Sequence, residues 1–291
     1  MLRVSYIVIF AFALITVSCS ATAHTRSLNS QPAKELKHCG ILELYTYNCS
    51  VKGPSRRQMN VYLPAEYYQT TEQYPVLYLL HGARGNEFSW IVKGNLLRTV
   101  DSLTVCGLMK KCIVVLPNTN QYRDDKDFGN SRTKGALESF FENNGAVEYS
   151  FATDVVAEVD RRYRTIPQKS GRAIAGLSIG ALQAIHISAS HPDMFDYIGL
   201  FSPMVHPFAQ HSDYSAIYRG LKRRQRLQFA SPPRLYWVMI GKRDFFYPRM
   251  NSYCAYLNRR GYRHDYYISP GGHQWDNWIL YSNIFMQRLW R

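Results

Sequence analysis

The chain has 291 residues, of which 46% are hydrophobic and 19% charged, and its formal net charge at pH 7 is +14. This length is sufficient for one large domain with a substantial core. The positive charge would suit an anionic partner, but the basic residues are scattered, and even the densest cluster, LKRRQR at 221–226, comes with no zinc-finger, RRM or helix-turn-helix pattern. Charge and composition therefore argue for a solvated basic surface and against a nucleic-acid-binding protein.

The N-terminal segment has the three parts of a secretory signal. A basic start at Arg3 is followed by the apolar run YIVIFAFALITV and by small residues that end at Ala23. The apolar run is too short to predict a membrane span. We therefore expect residues 1–23 to be a signal peptide and the protein to be secreted or periplasmic.

An alternative for this segment is lipidation at Cys19. A lipoprotein signal usually carries an aliphatic residue three positions earlier, where this chain has Thr16. Attachment to a membrane is expected only if Cys19 is lipidated. The remaining chain would consist of an N-terminal lead segment, 24–37, and one domain, 38–291.

Five cysteines follow the predicted cleavage site. In an oxidising compartment, bridges between the neighbouring pairs Cys39 with Cys49 and Cys106 with Cys112 are plausible, which leaves Cys254 over. The sequence has neither a CxxC motif nor a Cys/His cluster at zinc spacing. We therefore expect no metal site.

Eight short apolar or β-rich runs recur along the chain and predict strands. The first two predict an antiparallel strand pair that precedes the rest of the sheet. The later ones are continuous apolar runs, as in strands buried on both faces. The runs are ILELYTY (41–47), QMNVYLP (58–64), YPVLYLLHG (74–82), CIVVLPN (112–118), GRAIAGLS (171–178), YIGLFSP (197–203), RLYWVMIG (234–241) and HDYYISPGG (264–272).

Amphipathic segments such as SFATDVVAEVDRRYR (150–164) and MNSYCAYLNRR (250–260) lie between these runs. Alternating strands and helices predict an α/β protein with a mostly parallel, doubly wound sheet. The stretch 118–144 and the segment from Pro203 to Pro233 fit this alternation poorly. They are either loops that cover a functional site or surface insertions that have no role in it.

Ser178 is the first candidate for chemistry. It lies in GLSIG, after the strand run GRAIAGL and before the apolar-rich segment IGALQAIHISAS. A nucleophile elbow needs this setting, because its tight turn requires residues without bulk two positions before and after the serine, here Gly176 and Gly180. The serine hydroxyl would then stand at the carboxyl edge of the sheet.

A serine nucleophile needs a base and a carboxylate that orients the base. His273 follows the last strand in the loop ISPGGHQW, downstream of the serine, and is the predicted base. Asp244 follows the strand RLYWVMIG and is the preferred acid, although a pairing with a neighbouring basic residue is an open alternative. Asp265 and Asp276 also lie near His273, but Asp265 opens the last strand at the wrong edge and Asp276 comes after the histidine.

Acyl transfer also requires N–H donors for the oxyanion. The backbone N–H of Ile179 is one candidate. The loop HGARGNEFSW supplies the other, at Gly82 with Ala83. We expect His81 in this loop to shape the backbone rather than act as a second base.

The motifs in their chain order resemble the esterase D and feruloyl esterase branch of the α/β-hydrolases, which includes carbohydrate esterases of the family 1 type. The resemblance covers about residues 38–291. It rests on LLHGARGNEFSW, VVLPN, DRRYRTIPQKSGRAIAGLSIGA, HPDMFDYIGLFS, IGKRD and GGHQWDNW. It implies an α/β-hydrolase fold and a serine esterase without metal or organic cofactor, with Ser178, Asp244 and His273 as its triad.

The chain departs from this branch in two places. Relatives often have Met and Gly where Ile179 and Ala181 follow the serine, and further glycines where Ala83 and Arg84 stand in the oxyanion loop. These changes bear on substrate choice more than on catalysis. Arg84 would bind a substrate carboxylate or be an ordinary surface arginine.

Three tryptophans lie beside the predicted catalytic loops and are candidates for substrate binding: Trp90, Trp275 and Trp278. Their rings would stack on an aromatic acid or a sugar. We therefore expect a secreted serine esterase that acts on short-chain or aromatic acyl esters of a small molecule or glycan. The alternatives are an acyltransferase, as in the related mycolyltransferase branch, and a catalytically silent glycan-binding module.

Overall fold

Eight strands form one sheet in the part of the chain that the computed structural model describes, residues 40–51, 55–120, 145–206 and 213–291. Each strand coincides with a run predicted from the sequence. The strands are β1 (Ile41–Asn48), β2 (Arg56–Leu63), β3 (Val76–Leu80), β4 (Ile113–Pro117), β5 (Arg172–Leu177), β6 (Tyr197–Phe201), β7 (Leu235–Gly241) and β8 (Asp265–Ser269).

The order across the sheet is β1-β2-β4-β3-β5-β6-β7-β8. β1 pairs antiparallel with β2, and β2 pairs antiparallel with β4. All pairs from β4 to β8 are parallel. The predicted α/β-hydrolase architecture, with an antiparallel lead-in and a mostly parallel doubly wound sheet, is confirmed.

Helices connect the strands. The amphipathic segment 150–164 is helical as predicted up to Arg162, and a π-helical stretch, Phe151–Val156, forms part of it. The α-helices in the described ranges are α1 (Ser89–Val92), α2 (Leu96–Val105), α3 (Ala146–Ser150), α4 (Ala157–Arg162), α5 (Ile179–Ser190), α6 (Leu221–Gln228), α7 (Tyr247–Arg259) and α8 (Trp275–Met286). Short 3₁₀ helices span Tyr67–Gln69, Lys169–Gly171 and Ser215–Tyr218.

The core has two layers, one on each face of the sheet. Successive side chains of a strand point to opposite faces, and β3 shows the consequence. Val76, Tyr78 and Leu80 pack into one hydrophobic cluster with helix α5, whereas Leu77 and Leu79 pack into a second cluster with helices α2 and α8. Burial on both faces explains why the central strands are continuous apolar runs.

The parallel strands β3, β5, β6, β7 and β8 all end at the same edge of the sheet. In open α/β sheets this carboxyl edge is where ligands bind. Each chain segment that leaves this edge is therefore a candidate for the functional site.

The segment from Pro203 to Pro233 is more regular than predicted. Its described part contains helix α6, which includes the whole LKRRQR cluster. The prediction of an irregular insertion is wrong there, because the buried side of this helix is formed by Leu221 and two glutamines, Gln225 and Gln228, rather than by an apolar stripe. The other stretch that fits the alternation poorly is 118–144. Its residues 121–144 lie outside the described residues.

The predicted bridge between Cys106 and Cys112 is wrong. Both thiols are unbridged: Cys106 is exposed where α2 ends, and Cys112 is buried in the core. The turn at Gly107, with φ of +67°, lies between them, and burial raises the pKa of the Cys112 thiol. Cys39 lies outside the described residues, so the other bridge remains a prediction.

The predicted signal peptide, the lipidation site at Cys19 and the lead segment 24–37 also lie outside the described residues. Among the helices that are described, none has both the length and the apolar character needed to cross a membrane.

Candidate active site

Ser178 occupies the sharp turn between β5 and α5. Its backbone has φ of +54° and ψ of −114°, a conformation that costs a residue with a Cβ about 1–3 kcal/mol. The Ser178 N–H donates to the carbonyl oxygen of Phe201 on β6 at 2.8 Å, which fixes the turn to the neighbouring strand end. The strained serine therefore stands at the carboxyl edge.

The two glycines of the elbow are required by close backbone contacts. A Cβ at Gly176 would lie 2.5 Å from the carbonyl carbon of Gly180, and a Cβ at Gly180 would lie 2.4 Å from the carbonyl oxygen of His81. Both distances are shorter than any van der Waals contact. Helix α5 thus approaches β5 and the loop after β3 closely enough to exclude any larger residue.

His273 reaches Ser178 from the loop after β8. Its Nε2 lies 3.0 Å from Ser178 Oγ, and its Nδ1 lies 2.9 Å from Asp244 Oδ2. Because an ionised carboxylate only accepts hydrogen bonds, Nδ1 carries the proton and Nε2 is free to accept from the serine hydroxyl. The geometry gives the imidazole the tautomer that a general base needs.

Asp244 leaves the carboxyl end of β7 and is almost completely buried, with 3% of its surface exposed. Burial by itself would raise the pKa of this carboxyl group. Hydrogen bonds from His273, from the Phe246 N–H at 2.9 Å and from Ser202 outweigh burial and lower the pKa below its usual value. Asp244 is therefore held ionised beside the imidazole.

The structure thus brings Ser178, His273 and Asp244 into one hydrogen-bonded chain. The competing carboxylates are elsewhere: Asp265 opens β8 and forms an ion pair with Arg288, and Asp276 is exposed in the first turn of α8.

The glycine-rich loop that carries His273 is fastened to the ends of β7 and β8. Asn277 donates from Nδ2 to the carbonyl oxygen of Gly272 at 2.7 Å and accepts from Ser269 Oγ at 3.0 Å. A Cβ on Gly241, the last residue of β7, would collide with the carbonyl oxygen of Gly271. Only a glycine at position 241 lets the loop cross the strand end at this distance.

Ser202 is a site residue that the sequence analysis missed. It follows β6, is completely buried and has φ of +50°. Its hydroxyl accepts a hydrogen bond from Trp278 Nε1 at 3.1 Å, and its interaction with the Asp244 carboxylate helps to lower the pKa of that group. Ser202 therefore links the orienting carboxylate to a tryptophan of the cleft.

Replacing Ser202 with alanine is expected to lower kcat/KM for a simple ester about 10-fold, because Trp278 loses its acceptor and the Asp244 carboxylate loses a polar neighbour. KM should change little. Ser282→Ala is a matched control, since Ser282 is also buried but donates only to the carbonyl oxygen of Ile279. Equal kinetics in the two variants, both with wild-type melting temperatures, would show that Ser202 does not support the site.

The predicted oxyanion residues surround Ser178. Gly82 lies directly beside it, since a Cβ built there would be 3.5 Å from Ser178 Cβ, and Ala83 lines the cleft next to it. The turn is closed by the Gly85 N–H, which donates to the Gly82 carbonyl oxygen at 3.0 Å. Ile179 is the first residue of α5, where an N–H has no acceptor within its own helix.

His81 has the loop-shaping position that the sequence analysis expected. It is buried, its Nδ1 donates to the Gly82 carbonyl oxygen at 2.8 Å, and its Nε2 accepts from the Thr119 N–H at 3.0 Å. Burial lowers its pKa to about 4. The imidazole of His81 is therefore neutral, and its two hydrogen bonds hold together the loops that follow β3 and β4.

The three tryptophans do not share one environment. Trp90 is 1% exposed, packs in the core and donates from Nε1 to the Leu80 carbonyl oxygen at 3.0 Å. Its prediction as a substrate-binding residue is wrong, because its ring lies behind the cleft wall. Trp275 and Trp278 do line the cleft, with ring centroids 5.4 Å apart, and Trp278 also packs edge-on to the His273 ring at 5.0 Å.

A small cleft opens over the serine. Its volume is about 210 Å³, and Ser178, His273 and the two tryptophans contribute to its wall. Arg84, which is exposed and has φ of +58°, and Lys93 add positive charge to the same wall. Phe245, which the sequence analysis did not single out, is 61% exposed and lies with its ring 4.4 Å from that of His273.

Comparison with known proteins agrees with this architecture. The Esterase family model matches residues 50–281. An endo-1,4-beta-xylanase/feruloyl esterase from Xylanibacter ruminicola is 34% identical over 175 residues, which are 58% of this chain but only 22% of that protein. An acetyl esterase from Caldicellulosiruptor saccharolyticus is 23% identical over 245 residues, covering 74% of this chain and 83% of the relative.

Solved structures share the fold. A CE1 ferulic acid esterase from Anaeromyces mucronatus, determined in complex with ferulic acid, superposes with a TM-score of 0.69 at 20% identity and covers 89% of this chain and 93% of that one. The resemblance inferred from the motifs is confirmed. Since the family model matches most of the chain, the protein belongs to the Esterase family.

Proposed function

We propose that the protein is a serine esterase that hydrolyses carboxylic esters through an acyl-enzyme intermediate. The observation that carries the proposal is the continuous hydrogen-bonded chain from Ser178 Oγ through His273 to the buried Asp244 carboxylate. Feruloyl and acetyl esterases among the relatives support the same class of reaction.

The reaction follows from the position of each group. His273 Nε2 takes the hydroxyl proton as Ser178 Oγ attacks the ester carbonyl carbon, and Asp244 stabilises the imidazolium that forms. The backbone N–H groups of Ala83 and Ile179 are the proposed donors to the oxyanion. Collapse of the tetrahedral intermediate expels the alcohol with the proton from His273, and water then repeats the sequence to release the acid.

The acyl group is proposed to be short or aromatic. The cleft volume of about 210 Å³ is below the range of about 300–1,000 Å³ that is typical of sites for drug-sized ligands. Trp275 offers a partly exposed ring for an aryl acid, while Arg84 and Lys93 make the wall unsuitable for a long aliphatic chain. The alcohol is proposed to be a sugar.

We further propose, from the sequence of residues 1–23, that the protein is exported and that the domain is 38–291. The residues themselves support this: a basic start, an apolar run and small residues before the expected cleavage point.

Hydrolysis of an acyl series tests the substrate class. We expect kcat/KM to fall from p-nitrophenyl acetate and butyrate to palmitate, because a long chain does not fit the cleft of about 210 Å³ and its exposed methylenes gain none of the roughly 0.8 kcal/mol that burial of each would give. Methyl ferulate should also be cleaved. A rise in kcat/KM up to palmitate would indicate a lipase-like groove instead.

The same assays separate the alternatives. Transfer to an added alcohol that outcompetes water would favour an acyltransferase. Folded protein that turns over no ester would favour a binding module.

A further inference from the structure

A second, larger cavity lies between helices α6 and α7. Its volume is about 590 Å³, within the range of ordinary ligand sites. The segment that follows β6 closes one side of it, and no residue of the hydrogen-bonded chain Ser178–His273–Asp244 contributes to it. The proposed mechanism therefore makes no use of this cavity.

The charged residues of the cavity all have the same sign. Lys222 from α6 and Arg249 and Arg259 from α7 line it together with His206, and its described lining contains no Asp or Glu. Among the ion pairs formed within the described residues, none involves Lys222 or Arg259. The three basic side chains make the field in the cavity positive, and burial together with the charge of Lys222 lowers the pKa of His206.

The uncharged lining is suited to a sugar. Tyr253 and Tyr256 contribute rings whose planes are 25° from parallel, an aromatic surface with polar tips. Gln225 is 1% exposed and donates from Nε2 to the Tyr253 hydroxyl, but its Oε1 has no hydrogen-bond partner in the described structure. A buried acceptor of this kind is satisfied when a ligand hydroxyl donates to it.

Two segments that line the cavity follow directly along the chain from residues of the candidate active site. Helix α7 begins three residues after Asp244, and Arg249 lies in its first turn. Arg259 ends the same helix, so the two arginines are separated by ten residues, or about 15 Å along the axis. On the other side, Met204 lines the cavity two residues after Ser202. One end of the cavity therefore lies near the carboxyl edge of the sheet, where Ser178 stands.

We propose that this cavity binds a carboxylate-bearing sugar of the glycan whose ester is cleaved at Ser178. Arginine side chains hold carboxylates through paired hydrogen bonds, and the tyrosines and Gln225 meet the ring and its hydroxyls. The assignment of the ligand to the substrate glycan rests on the proposed esterase function; the binding of an acidic saccharide does not depend on catalysis.

Titration calorimetry with tetragalacturonate tests the assignment, with cellotetraose as the neutral probe. We expect the acidic tetramer to bind and the neutral one to bind at least 10-fold more weakly. The double variant Lys222→Ala/Arg259→Ala should weaken binding of the acidic tetramer about 10-fold or more, since hydrogen bonds to charged groups are among the strongest. Binding by the wild type should also weaken as salt is raised.

A matched control is available on helix α6. Arg223→Ala/Arg226→Ala removes the same charge from exposed residues outside the cavity lining, and should change the affinity less than 2-fold. If both double variants lose the same affinity for tetragalacturonate, the loss is an effect of net charge alone, and the proposal is overturned. Equal binding of cellotetraose would overturn it as well, because the cavity would then not select an anion.

Two further binding experiments test whether the cavity takes a different class of ligand. If sodium sulfate at millimolar concentration abolishes the binding of tetragalacturonate, the cavity is a simple anion site. If a dT10 oligonucleotide binds in place of the tetramer, the cavity is a nucleic-acid site. Either result overturns the proposal. Hydrolysis of p-nitrophenyl acetate is measured on the same samples. Protein that is active on this ester but does not bind the tetramer refutes this inference alone, whereas inactive protein refutes the esterase function separately.

Discussion

Replacing Ser178 with alanine is expected to reduce kcat for p-nitrophenyl acetate by about 10⁴-fold or more, because acyl transfer loses its nucleophile. The fold should be retained, since alanine has the same Cβ as serine and occupies the strained turn at the same backbone cost. The initial rate of p-nitrophenol release and the thermal melting curve are the two measurements.

Ser188→Ala provides the control for this change. Ser188 is also buried and lies on the helix that follows the elbow, but its hydroxyl donates only to the Ile185 carbonyl oxygen at 3.3 Å. This variant should keep wild-type kcat. Retention of more than a few per cent of wild-type turnover by folded Ser178→Ala would remove Ser178 from the mechanism.

His273→Ala is expected to be about as damaging as Ser178→Ala, because the serine hydroxyl then has no base. The double variant should be no slower than either single one, since residues that act as a unit are not additive. His264→Ala is the control: His264 precedes β8 at the opposite end of the strand, and its Nδ1 contacts the Tyr262 carbonyl oxygen. Additive losses in the double variant would contradict the shared mechanism.

Much of the fold is predictable because its signals are local. The central strands are continuous apolar runs, and burial on both sheet faces requires nothing else of their sequence. GLSIG is also a local signal, because the turn itself brings Gly176 against the backbone of Gly180, although Gly180 is in addition required by its distant contact with His81. His273 and Asp244 could be found because the chain order of strand ends places them at one edge.

Other features depend on packing between distant segments and leave no local signal. Ser202 is an ordinary serine after a strand until the indole of Trp278 and the carboxylate of Asp244 meet its hydroxyl. Trp90 and Trp275 both lie beside loops in the sequence, yet only the tertiary structure shows that Trp90 is buried behind the wall.

Helix α6 was missed for a related reason. Its buried side includes Gln225, whose side chain is satisfied in part by the hydroxyl of Tyr253 on another helix. A hydropathy pattern cannot identify a buried position of this kind, because the glutamine looks like a surface residue until its partner is known.

The most direct test of a nucleophilic Ser178 is covalent labelling with a fluorophosphonate, followed by mass spectrometry of the digested protein. We expect one adduct per chain, on the peptide that contains Ser178, with no adduct in Ser178→Ala and strongly slowed labelling in His273→Ala. Labelling at a different residue, or undiminished labelling of Ser178→Ala, would contradict a nucleophilic Ser178.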